Sequence, residues 1–243
     1  MNPARRHALV TGGSGGIGAA ICRRLASTGH FVYIHAHRNP DTASTLAAEL
    51  NANGLNARAV TFDVTNEEAT RTELKRLLED GPIQVVVNNA GIYEDAVFPG
   101  MNARQWHRVI DVSVNGFFNV TQPLMMPMIR TRWGRIVNIS SVSSLIGSRG
   151  QVNYSAAKGA LNSATRALAA EVASRGITVN AVAPGVIDTP ATQKVFDAQT
   201  IARLVPMKRF GKPEEVASLV AFLVSDDAGY ITGQTISING GII

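Results

Sequence analysis

Tyr154 and Lys158 stand four residues apart within a helical pattern at Val152–Ser174, so their side chains share one helix face. The chain has only four tyrosines and five lysines among 243 residues, and a chance pair at this spacing is rare. The pair suits the reduction of a ketone, whose oxygen needs a proton as negative charge develops on it. A tyrosine hydroxyl can give that proton, and a neighbouring ammonium favours the phenolate left behind. Lowering the phenol from about 10 by about three units takes on the order of 4 kcal/mol, within reach of a charge in a partly desolvated cleft. Ser141, just past the end of an apolar strand pattern, offers a second hydroxyl to polarise the carbonyl.

Such a reaction needs a hydride donor with a seat of its own. Thr11-Gly12-Gly13-Ser14-Gly15-Gly16-Ile17-Gly18 lies between the first strand pattern and the first helix pattern. Glycine there permits a tight turn and lets the backbone approach a pyrophosphate with no Cβ in the way. Free N–H groups and the helix dipole then hold the negative charge. The position between strand and helix separates this stretch from an ordinary glycine-rich loop. Units of this type that take NAD carry an acidic residue about 20 residues on, for the ribose 2′-hydroxyl. Here that stretch reads His35-Ala36-His37-Arg38-Asn39, with no carboxylate. Arg38 is available for a 2′-phosphate, so NADP(H) is the expected cofactor. His35 and His37 read as packing or loop residues.

The elements that must position these groups alternate along the chain. Strand patterns fall at His7–Thr11, Phe31–Ala36, Ala57–Phe62, Val85–Asn88, Arg135–Ser140, Thr178–Ala183 and Thr235–Ile238. Helical patterns fall between them, at Ile17–Ser27, Thr42–Asn53, Glu67–Glu79, Ala103–Ile129, Val152–Ser174 and Pro213–Val224. Continuous apolar strands are buried on both faces, which suits a parallel sheet. The alternation then implies right-handed crossovers and an α/β fold: a single doubly wound Rossmann-type domain, 1–243, with a mainly parallel seven-stranded sheet. Asp188–Met207, interrupted by Pro190 and only loosely amphipathic, reads as a mobile substrate lid or a plain surface helix.

Composition sets the outer bounds. The chain is 45% hydrophobic and 17% charged with a net charge of +5, ordinary for a soluble globular protein. The arginines are scattered rather than gathered in a run, which argues against a nucleic-acid binder. Apolar runs such as Leu219–Val224 are too short to span a bilayer, and the basic start leads straight into the first strand. A cytoplasmic location with no membrane attachment is therefore expected. One cysteine, Cys22, rules out an intrachain disulfide and a cysteine-cluster metal site, and no metal is expected.

Several motifs together resemble the short-chain dehydrogenase/reductase family: Thr11-Gly12 with Gly16-Ile17-Gly18, Asn88-Asn89-Ala90-Gly91, Ser141, Tyr154 with Lys158, and Pro184-Gly185. Their order and spacing match over essentially the whole chain. The stretches Gln151–Lys158, Gly176–Asn180 and Asn239-Gly240-Gly241 are similar to the bacterial members that reduce 3-oxoacyl groups held on acyl carrier protein. The resemblance implies Tyr154 as proton donor, Lys158 on the nicotinamide ribose, and Ser141 on the carbonyl. It implies Gly12, Ser14, Gly16, Ile17 and Gly18 around the pyrophosphate and Asp63-Val64 beside the adenine. It further implies Asn89, Ala90 and Gly91 along the cleft, with Pro184, Gly185, Ile187 and Thr189 at the nicotinamide end. An acyl carrier protein partner would dock at Arg132 and Arg175, and a homotetramer would pair through Ala103–Ile129 and Val152–Ser174 and through the C-terminal segment. Two departures stand out. Ser113 occupies the register of the family's active-site asparagine, so a proton relay there would run through Ser113 and water. Gly15 stands where many NADPH-using relatives carry a basic residue, which shifts phosphate binding to Arg38. Other readings are a reductase of a sugar, steroid or diol, or a non-catalytic partner subunit.

Overall fold

The computed structural model describes residues 5–243. Short β-branched runs form its strands, and alternate side chains pass to opposite faces of the sheet. In β1 (His7–Val10), Ala8 and Val10 join one core with Ile21 and Leu25, while Leu9 enters the other with Leu124 and Met128. The chain continues through α1 (Gly16–Ser27), β2 (Phe31–Ala36), α2 (Pro40–Ala52), β3 (Asn56–Thr61), α3 (Glu67–Leu77) and β4 (Ile83–Asn88). Then follow α4 (Ala103–Ile110), α5 (Gly116–Thr131), β5 (Gly134–Ile139), the short α6 (Ser143–Ile146), α7 (Val152–Val172), β6 (Ile177–Pro184), α8 (Ala198–Leu204), α9 (Pro213–Val224) and β7 (Thr235–Ile238).

Among the described residues seven strands form one sheet in the order β3-β2-β1-β4-β5-β6-β7, every neighbouring pair parallel. Core residues of α1, α2 and α9 cover one face, and those of α3, α5 and α7 the other. The order reverses between β1 and β4, and a crevice outside the carboxyl ends of the strands at such a switch point is where ligands bind in sheets of this type.

Two expectations change. The helix anticipated over Ala103–Ile129 is continuous but carries a π-helical turn at Asp111–Asn115. The α-helical bonding resumes at Gly116, where a Cβ would press to 3.0 Å from a Val64 methyl, so glycine eases the close approach of α5 to the loop after β3. The stretch 188–207 is turns followed by α8, whose start is capped by Asp197 accepting from Thr200 N–H at 2.7 Å. Ile201 and Val205 anchor that helix by burial.

Candidate active site

Ser141 leaves the end of β5, and Tyr154 and Lys158 lie on the first turns of α7, so two elements bring them together. Asn153 fixes the entry to α7: its Nδ2 donates to the carbonyls of Glu94 (3.0 Å) and Gln105 (3.1 Å), and its Oδ1 accepts from Tyr154 N–H at 2.8 Å. Ser141 Oγ accepts from both the N–H (3.2 Å) and the hydroxyl (2.9 Å) of Ser143. With its acceptor sites used, Ser141 can donate its own proton toward Tyr154 or to a ligand oxygen in the cleft. Ser143, which sequence reasoning passed over, thereby sets the polarity of Ser141.

Lys158 is buried, and its Nζ donates to the Ile139 carbonyl at 2.8 Å, leaving two protons for the cleft. Burial lowers its ammonium from 10.5 to about 8. Burial raises the Tyr154 hydroxyl to about 12, with Ser141 acting in the opposite direction. The phenol is thus pushed up, not down as the spacing to Lys158 suggests, because burial dominates over the Ser141 hydrogen bond; Lys158 Nζ lies 5.6 Å from the ring centre. A phenol in this state is protonated at neutral pH, as an acid for reduction must be.

Ser141, Tyr154 and Lys158 line a cleft of about 190 Å³ together with Ile17, Asn89, Gly91, Pro184, Gly185, Ile187 and Thr189. At Gly91 this cleft meets a groove of about 410 Å³ lined by Gly12, Ser14, Arg38, Asp63, Val64 and Ala90. Gly16 and Gly18 shape the turn from behind: a Cβ at Gly18 would collide with the Gly12 carbonyl, and one at Gly16 would meet Thr189 at 3.0 Å. A third pocket of about 520 Å³ opens from Ser141 and Tyr154 and is walled by Val142, Ile146, Val195, Phe196, Leu204 and Ile242. Tyr93, set edge-on to Tyr154 at 6.4 Å, lines both this pocket and the cleft.

These features fit a dinucleotide. The first bond within α1 runs from Ala19 N–H to Gly15 O, so the N–H groups of Gly16, Ile17 and Gly18 have no partner in the helix. A Cβ at Gly15 would meet nothing nearer than 3.7 Å, leaving the groove open where a side chain would fill it. Asn89 ties the two halves of the crevice, its Nδ2 donating to the carbonyls of Thr11 (2.9 Å) and Gly12 (3.0 Å). Asp63 is shaped for recognition too. Burial works against its charge, but hydrogen bonds from the Thr65 N–H and hydroxyl, with His37 and Arg38 nearby, hold its carboxyl below the ordinary value.

Not every expected residue joins the site. Ser113 is buried within the π-helical turn, its hydroxyl has no protein partner, and it does not line the cleft. Arg132 lies beside the turn that carries Arg175, its Nη2 donating to Ser174 O at 3.3 Å. They precede β5 and β6, however, and so lie at the opposite end of the sheet from Ser141 and Pro184. Among the described residues no group of His, Cys, Asp or Glu is arranged to hold a metal, and no helix is long and apolar enough to cross a membrane.

The comparisons with known proteins agree with this geometry. A short-chain dehydrogenase model described as enoyl-(acyl carrier protein) reductase matches residues 12–243. The chain belongs to the short-chain dehydrogenase/reductase family. It is 45% identical over 236 residues to the 3-oxoacyl-[acyl-carrier-protein] reductase FabG of Aggregatibacter actinomycetemcomitans, covering 96% of this chain and 98% of that one. It is 43% identical over 238 residues to the FabG of Pseudomonas aeruginosa, covering 97% and 96%. It is 46% identical over 241 residues to an acetoacetyl-CoA reductase of Rhizobium meliloti, covering 97% and 98%. Membership in the short-chain dehydrogenase/reductase family makes the protein a nicotinamide-dinucleotide-dependent oxidoreductase acting on CH–OH groups.

Proposed function

We propose that this protein uses NADPH to reduce a 3-oxoacyl thioester, carried by acyl carrier protein, to the 3-hydroxyacyl thioester. The observation that carries the reading is that Ser141, Tyr154 and Lys158 come together at the junction of a dinucleotide groove and a largely apolar pocket able to receive an acyl chain. Reduced nicotinamide, when bound, supplies the hydride. Ser141 donates to the substrate carbonyl oxygen, and Tyr154 gives its proton to that oxygen as charge builds there. Lys158 binds the nicotinamide ribose and stabilises the tyrosinate. Ser113, a buried hydroxyl with no protein partner, can pass a proton onward through an ordered water. Gly12, Ser14, Gly16, Ile17 and Gly18 hold the pyrophosphate, Arg38 the 2′-phosphate, and Asp63 and Val64 flank the adenine. Asn89, Ala90 and Gly91 line the cleft, and Pro184, Gly185, Ile187 and Thr189 shape its nicotinamide end.

Carrier docking at Arg132 and Arg175 adds a condition. On one protomer those arginines are remote from their own cleft, so a carrier bound there serves an active site only across a subunit boundary. Docking and the homotetramer therefore stand together. The acetoacetyl-CoA reductase relatives support a second reading, in which the thioester is borne by coenzyme A. Oxidation of NADPH followed with acetoacetyl-carrier protein, acetoacetyl-CoA and crotonyl-CoA separates them. The carrier substrate should give the highest kcat/KM and the enoyl thioester no turnover. Turnover of the enoyl substrate alone, or of neither ketone, would overturn the proposal.

A further inference from the structure

We propose that His35 is a positioning residue for the dinucleotide turn, its imidazole fixing the Gly12 peptide so that the N–H groups at the start of α1 converge on the pyrophosphate. The inference rests on the dinucleotide reading above. His35 sits near the end of β2, is 2% exposed, and packs against Phe62 with ring centres 4.1 Å apart. Its Nε2 lies 2.9 Å from the Phe62 carbonyl, which can only accept, so Nε2 carries the ring proton. Nδ1 is then an acceptor, and the Gly12 N–H donates to it at 3.1 Å. The main-chain carbonyl of the same residue accepts the Gly13 N–H at 2.8 Å. One residue therefore holds the first two N–H groups of the glycine turn.

The other side of the turn is held independently. The Gly12 carbonyl accepts from Asn89 Nδ2 at 3.0 Å and from Gly15 N–H at 3.2 Å. Gly12 itself adopts φ +61°, a left-handed conformation that glycine accepts without strain. The Gly12 peptide is thus clamped between β4's end through Asn89 and β2's end through His35. Removing the Nδ1 acceptor leaves a part-buried N–H without a partner, and rotation of that peptide is the cheapest relief. Rotation would turn the following N–H groups away from the groove. Burial reinforces the arrangement by keeping the imidazole neutral, its pKa lowered to about 4.

Three substitutions separate the two ring nitrogens. In His35→Asn the amide oxygen replaces the acceptor at Nδ1. In His35→Gln the amide nitrogen replaces the donor at Nε2 while the Gly12 acceptor is lost. His35→Leu removes both. Binding of NADP+ to each protein would be measured by titration calorimetry, with thermal unfolding and kcat at saturating NADPH alongside. The Leu and Gln variants should bind about tenfold more weakly, the scale of one hydrogen bond, and the Asn variant within about threefold of wild type. Saturated kcat should stay within about twofold in all three. Should the Leu variant not fold, the contrast between Asn and Gln still decides. Wild-type affinity in the Gln variant with weak binding in the Asn variant would overturn the inference, as would unchanged affinity in all three. A wild-type protein that binds neither NADP+ nor NAD+ would instead sink the dinucleotide reading itself.

Discussion

At the scale of single residues, the cleft keeps two ionisable groups in the states that reduction requires. Tyr154, raised to about 12, stays protonated across the working range, while Lys158, lowered from 10.5 to about 8, discharges within it. The sign follows directly. Below about pH 8 the ammonium is present and stabilises the tyrosinate formed when the proton leaves; as pH rises through 8 that stabilisation is lost. Reductive kcat should therefore be flat in mildly acidic buffer and fall as pH passes 8, with Tyr154 adding no limb in that window. A pH–rate profile that holds level well into the alkaline range would contradict this assignment. The second prediction at this scale is that Tyr154→Phe lowers kcat by about 10²–10⁴-fold, the span of general acid catalysis. Calorimetric affinity for NADP+ should persist, because the ring remains and only the hydroxyl goes. More than a tenth of wild-type kcat in that variant would remove Tyr154 from the acid role.

Elements differ in how plainly the sequence announced them. Phe31–Ala36, Thr235–Ile238 and Pro213–Val224 have the same bounds in pattern and in structure, because each is a compact apolar segment bounded by turn or cap residues. The π-helical turn at Asp111–Asn115 was hidden, since it leaves the apolar periodicity of Ala103–Ile129 nearly intact while changing the backbone bonding. Helix α8 was legible only as one of two readings of 188–207, because its pattern is loosely amphipathic and its anchoring comes from tertiary burial of Ile201 and Val205. The site divides along the same line. Tyr154 and Lys158 are legible because their relation is local, four positions on one helix. His35 and Ser143 were not, because each matters through a contact that only folding creates, such as the bond between Gly12 and His35, 23 positions apart. The end of β2 also carries the cofactor choice. Arg38 and Asn39 line the groove where a carboxylate would favour the 2′-hydroxyl of NAD. Arg38→Asp should move the ratio of kcat/KM values toward NADH by about 10- to 100-fold, the scale of a charge-assisted hydrogen bond lost and a repulsion gained. A wild-type enzyme with the better kcat/KM for NADH would show that Arg38 has no such task.

Across the whole molecule, the polarity of a parallel sheet separates the cleft from the arginines at which, on the proposed reading, a carrier would dock. Every strand directs its carboxyl end toward the cleft, so Arg132 and Arg175, ahead of β5 and β6, lie at the opposite end of the sheet. A link between the two ends needs a second copy of the chain. Phe118 and Met126, eight residues apart on α5, and Val152 at the start of α7 are exposed apolar side chains on the helices expected to pair. Such pairing is the usual closed symmetry of soluble enzymes. An acidic carrier would then be attracted to the Arg132–Arg175 patch of one subunit while its substrate arm enters a neighbour's cleft. Exposed charges of this kind act chiefly on association and fade with salt. Reversing Arg132 and Arg175 to Glu should lower kcat/KM for a carrier-bound 3-oxoacyl substrate, more at low salt than at high. Turnover of a small 3-oxoacyl thioester should stay near wild type. Phe118→Glu supplies the complementary arm: by weakening the helix pairing it should reduce the assembly in light scattering and abolish the carrier advantage, although both arginines remain. Equal losses on carrier and small thioester in the arginine variant would place the defect in folding or catalysis. Full carrier activity in a monomeric Phe118→Glu protein would show that the arm reaches its own subunit's cleft, and the cross-subunit arrangement would be wrong.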